Sequence, residues 1–131
     1  MNPHMRRDFD EQLEWVLEGL PPMIHELIEK VPLHVEDYPS DEVMERMGIE
    51  YLDDLCGLYT GIPIGDKSIS HSGTMPDVVT IYREGIVSAA ADRRGNISKE
   101  RLRKEIRITI LHELAHHHGL TEEDLGKLGY G

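Results

Sequence analysis

Residues 110–122 read Ile110-Leu111-His112-Glu113-Leu114-Ala115-His116-His117-His118-Gly119-Leu120-Thr121-Glu122. They contain H-E-x-x-H and extend it to H-E-x-x-H-x-x-G-x-x-E. On an α-helix, residues four apart differ by about 40° around the axis and about 6 Å along it. His112 and His116 therefore share one face, and two imidazoles at that separation reach a single Zn²⁺ at about 2.0–2.1 Å. Glu113 lies about 100° round from His112, beside the metal rather than on it. A carboxylate there can accept a proton from a water that the metal activates. The preceding stretch is apolar, through Ile106, Ile108, Ile110 and Leu111, and Leu114 and Ala115 continue it. Setting a His-Glu pair into such a helix is costly unless the pair is used.

Gly119 follows His116 by three residues. A glycine ends a helix in the left-handed conformation without steric penalty, so the chain can turn back towards the metal. That makes Glu122 a candidate third ligand, with Asp124 as the alternative. Two His and one carboxylate leave a fourth position for water, as a catalytic zinc requires. A purely structural reading also exists. Thr121-Glu122-Glu123-Asp124 has the form of a capping box that opens a short helix. A cap can also orient a ligand, so the two readings are compatible. His117 and His118 point away from the His112/His116 face and read as solvent or core-edge histidines.

The chain has 131 residues, enough for one domain (1–131) with a hydrophobic core. Fourteen Lys and Arg stand against 25 Asp and Glu, a formal charge of −11. So acidic a surface disfavours nucleic acid and anionic membrane. The basic cluster Arg101-Leu102-Arg103-Lys104 is interleaved with acids and reads as a solvated helix face. The single cysteine, Cys56, permits no intramolecular disulfide, which fits a reducing, cytoplasmic setting. Its apolar neighbours suggest a packed thiol rather than a nucleophile. The basic start is followed by acids rather than an apolar core, so no signal peptide is predicted. No run approaches the length of a membrane span.

Outward from the motif, Ser98 is the predicted N-cap of a helix reaching to about His118. Arg101 replaces the acid that would complete its capping box. Upstream, 78–83 is the clearest strand, β-branched and alternating. A helical segment at 86–91 and a turn at 92–96 follow it. Residues 8–19 form a helix with Phe9, Leu13, Val16, Leu17 and Leu20 at helical spacing, ended by Gly19 and Pro21-Pro22. Trp15 reads as core or helix–helix packing. A second helix covers 23–30. The alternation of 31–38 predicts a half-buried strand. Ser40 then caps a further helix that turns at Gly48, and 55–59 is a short strand. Residues 61–77 form the longest loop, with His71 as a loose site candidate. The order α, α, β, α, β, β, α, α predicts an α+β fold. A small mixed sheet packs on the motif helix, with additional helices N-terminal to it.

The strand 78–83, the helix from Glu100 and the motif through Gly119 with its trailing acids resemble the minimal zincins, small bacterial proteins regarded as zinc metallopeptidases. The acidic first helix and residues 31–58 are also similar, so the resemblance covers nearly the whole chain. It implies a reduced zincin fold, with Zn²⁺ as cofactor and a peptide or protein as substrate. The family pattern usually has Asp where this chain has Glu122. A metzincin with a C-terminal subdomain is not expected, because no Met follows Met75 and only 12 residues follow Gly119.

The resemblance implies a metallopeptidase with His112, His116 and Glu122 as ligands and Glu113 as general base. An extended substrate would add to the sheet edge, for which 78–83 is the expected strand. Tyr82, Tyr130 and His71 are candidates for a transition-state donor. One alternative is a weak or inactive domain that uses its metal for structure or partner binding. Another is a metal-free helical interaction domain. Three protein ligands plus water would favour the enzyme, and four protein ligands would favour the structural role.

Overall fold

The computed structural model describes residues 1–60, 77–118 and 123; for 116–118 it describes the backbone. Helix α1 (Pro3–Glu18) starts five residues before the expected boundary. The cause is local. Asn2 is the N-cap, its side-chain oxygen accepting from the Met5 N–H at 2.9 Å, and Pro3 suits the first helical position. The helix buries Phe9, Gln12, Leu13 and Val16. Trp15 lies off this stripe and is 51% exposed rather than core. Its ring lies beneath the Arg103 guanidinium, 3.8 Å away, so it links helices at the surface.

Helix α2 (Pro22–Lys30) contributes Ile24 to the core. Strand β1 (Leu33–Glu36) is half-buried in alternation, as expected. Helix α3 (Asp41–Met47) is capped by the Ser40 hydroxyl, which accepts from the Val43 N–H at 3.2 Å. It ends at Gly48, the expected turn, and the φ of 68° there is left-handed. Strands β2 (Gly57–Thr60) and β3 (Val78–Tyr82) lead to α4 (Arg83–Ala90) and α5 (Lys99–His118). The fold is the expected α+β.

The sheet has the order β1-β3-β2. β1 pairs parallel with β3, Leu33 opposite Val79; β2 pairs antiparallel with it, Gly57 opposite Ile81. The sheet is mixed, as expected, but β3 is its central strand. The expectation that 78–83 supplies the free edge is therefore corrected. The β-branched run that made it the clearest strand suits a position flanked on both sides, with Val79 and Ile81 fully buried. Among the described residues β2 is an edge strand, and it lies on α5.

The core is shared by α1, α2, β3, α4 and α5. Phe9, Val16, Ile24, Val79, Ile81, Ile86, Ile106 and Ile110 are all completely buried within it. α4 starts at Arg83 rather than at 86, because Gly85 belongs to the helix instead of breaking it. A Cβ at Gly85 would overlap the Leu55 carbonyl oxygen, so glycine lets α4 press onto the segment entering β2. No helix among the described residues is long and apolar enough to cross a membrane.

Candidate metal centre

α5 carries the site because its sequence satisfies both its start and its buried face. The Ser98 hydroxyl accepts from the Arg101 N–H at 3.1 Å, the expected N-cap. Leu102, Ile106, Ile110, Leu111 and Leu114 then form the buried stripe. Two residues of the motif leave that stripe. His112 is exposed and Glu113 is half-buried. The helix continues unbroken to His118. His112 and His116 are therefore one turn apart on the same helical backbone, about 6 Å along the axis.

The His116, His117 and His118 side chains lie outside the described residues, as do Gly119, Glu122, Asp124, His71 and Tyr130. Glu123 is helical and exposed. Among the described residues, no three His, Cys, Asp or Glu gather as a cation-binding group. The described part of the donor set fits zinc. The His112 imidazole faces solvent on a helix otherwise buried around it, and a carboxylate stands next to it. An i, i+4 His pair on straight helix is a chemically suitable start for a Zn²⁺ shell.

Glu113 is held from above by β2. A Cβ built on Gly57 would stand 3.2 Å from Glu113 Cγ, 2.8 Å from the Thr109 methyl carbon and 3.3 Å from the Thr80 carbonyl oxygen. Only a strand without a side chain at 57 can come this close. The Thr109 hydroxyl donates to the Glu105 carbonyl at 2.8 Å, which fixes its rotamer. Sequence reasoning did not pick out Gly57. The available signal was a lone glycine inside an apolar strand, which often marks close backbone approach.

Cys56, just before β2, is half-buried. Burial pushes its thiol pKa up and the nearby Glu105 carboxylate adds to the shift, so it stays protonated. This is a packed thiol rather than an activated nucleophile. Tyr82 is 2% exposed. Burial first, and then the Glu36 charge, raise its phenol pKa. It sits in the interior, poorly placed to donate to an incoming substrate. Tyr59 on β2 has its pKa raised by burial and by its hydrogen bond to the Asp77 carboxylate, which is itself buried. That pair ties the end of β2 to the start of β3, on either side of residues 61–76.

A search of curated proteins found no match. The family model described as zincin-like metallopeptidase matches residues 28–130, which include all three strands, the whole motif and its trailing acids. With an exposed His112 and an adjacent Glu113 on one unbroken helix beneath a small mixed sheet, the chain belongs to the zincin-like metallopeptidase family.

Proposed function

We propose that this protein hydrolyses peptide bonds with zinc held by His112, His116 and Glu122, Asp124 being the alternative to Glu122. The observation that carries the reading is the pairing on α5 of an exposed imidazole with a half-buried carboxylate lying under an edge strand. When bound, zinc supplies Lewis acidity, polarising a carbonyl and lowering the pKa of a coordinated water towards about 7. Glu113 accepts the proton of the attacking water and returns it to the leaving amine. Its stem lies close under β2, at Gly57.

The substrate lies extended along β2, where main-chain groups of the strand can pair with it. Because β3 is central, β2 takes the place first expected for 78–83. A peptide or protein substrate is compatible with this edge, and the acidic charge balance argues against nucleic acid and anionic membrane as partners. A cytoplasmic setting goes with the reading, since a single cysteine allows no intramolecular disulfide.

Metal analysis and peptide-library cleavage test it together. Wild type should carry about one zinc, and His112→Ala should lose it. Glu113→Gln should keep the metal and lose hydrolysis by about 10²–10⁴-fold. Cleavage by Glu113→Gln at the wild-type rate removes the base from the mechanism. A metal-loaded wild type that cleaves nothing in the library leaves the partner-binding alternative in its place.

A further inference from the structure

We propose that Gly57 is a positioning residue for Glu113: by bearing no side chain, it lets β2 descend onto α5 and sets where the carboxylate stem stands. The inference rests on Glu113 as the base and extends that reading to a residue on another element.

Three groups surround the space a Cβ at 57 would occupy, and they differ in how easily they yield. The Thr80 carbonyl belongs to the β2–β3 ladder, where Thr80 pairs with Leu58. It moves only if the sheet moves. Thr109 is 7% exposed and tied through its hydroxyl to the Glu105 carbonyl, so its methyl is held towards Gly57. Glu113 is half-buried on rotatable bonds and is the softest of the three.

Lifting β2 away is not an available escape. The Cys56 carbonyl accepts from the Tyr82 N–H at 2.8 Å, and Gly85 of α4 packs directly on the Leu55 carbonyl. The segment 55–57 is thus gripped between α4 and α5 through a glycine at each contact. A methyl added at 57 transmits its strain to Thr109, which resists, and to Glu113, which turns. The stem of the base and the edge strand therefore share one boundary, and that boundary is Gly57.

The test uses the zinc-loaded full chain and acetohydroxamic acid as probe. This acid gives its N–hydroxyl proton to a base when it chelates a divalent ion, so its affinity reads the placement of Glu113. Zinc content, thermal midpoint and probe Kd are measured for wild type, Glu113→Gln, Gly57→Ala, Thr109→Ser and Gly57→Ala/Thr109→Ser. Thr109→Ser keeps the hydroxyl bonded to Glu105 and deletes the methyl nearest to position 57.

Gly57→Ala should keep its zinc, melt roughly 4–8 °C lower and bind the probe about three- to tenfold more weakly. The double variant should regain most of the thermal stability yet keep the weakened affinity, because the Glu113 contact remains. Thr109→Ser alone should bind like wild type. If Gly57→Ala does not fold, the double variant decides. Wild-type affinity in the double variant, or in a folded, zinc-loaded Gly57→Ala, overturns the inference and makes Gly57 a packing residue only. Those outcomes leave the proposed function intact. A wild type that takes up no zinc, or a Glu113→Gln that binds the probe unchanged, removes the reading on which the inference rests and overturns both.

Discussion

At the scale of single residues, the main surprises are polar groups placed where they must be satisfied. Asp77 is 7% exposed and accepts a hydrogen bond from the Tyr59 hydroxyl. Tyr59→Phe keeps the ring and removes the donor, which should destabilise the fold by roughly 1–3 kcal/mol in urea unfolding at neutral pH. The alkaline limb gives a second readout. Tyr59 holds its proton more tightly folded than unfolded, so its contribution is intact below about pH 10, the unfolded value. It is lost as pH rises towards the folded value, because only the unfolded chain then ionises. Stability should fall less steeply above pH 10 in Tyr59→Phe than in wild type. If the two alkaline profiles coincide, the Tyr59–Asp77 bond is energetically silent. At this scale the candidate site was partly legible: His112 and Glu113 follow from spacing alone. Gly57 does not, because its role depends on which helix lies beneath it.

Among the elements, α5 was the most legible and β2 the least. Ser98, the apolar repeat and the histidines foretell α5 from one end to the other, since a helix is built from contacts three and four residues apart. The strand 78–83 was recognised as a strand, but its place in the sheet was not. Edge or centre is decided by neighbours far along the chain. α4 shows the same division. Gly85 reads locally as a break, yet it is helical because α4 closes onto Leu55. Two substitutions should separate these influences. Ser98→Ala removes a cap and should cost about 1 kcal/mol. Gly85→Ala, although it favours helix intrinsically, must displace a backbone carbonyl and should cost roughly 1–3 kcal/mol or more. A Gly85→Ala protein more stable than wild type in thermal unfolding would show that α4 does not need that close approach.

Across the whole molecule, α1 is fastened to the sheet layer by a charged network as well as by the core. Arg83, at the start of α4, donates to Asp10 of α1 through Nε at 3.0 Å and to Asp37 through Nη1 at 2.9 Å. Arg6 of α1 donates to the same Asp37 through Nη2 at 2.6 Å. Hydrogen bonds from Arg6 above all, and then from Arg83, hold the Asp37 carboxyl below the usual carboxylate range. A depressed folded pKa contributes stability above the unfolded value, about 3.9, and loses it as pH falls through the folded one. Asp37→Asn should therefore be destabilised at neutral pH, by about 1 kcal/mol once solvent screening is allowed for. It should also show a flatter loss of stability below about pH 4 than wild type. Denaturant midpoints across pH 2–7 (roughly the span of that titration) measure both effects. A parallel acid limb in the two proteins would count against the network.

The sequence by itself determined what depends on near neighbours. The caps at Ser40 and Ser98, the turn at Gly48, the stripe along α5 and the His-Glu-x-x-His spacing all act within a few residues. The α+β class follows from their order, and the motif carries the resemblance that the family match supports. The tertiary structure decided what depends on residues distant in sequence. It placed β3 in the centre of the sheet and β2 over Glu113, and left Trp15 at the surface beneath Arg103. Among the described residues, it made Gly57 and Gly85 points where there is room for backbone and nothing more. The physical reason is the range of the forces involved. Helical contacts and caps are closed by the local chain, whereas strand order and close packing are settled only when distant segments compete for the same space.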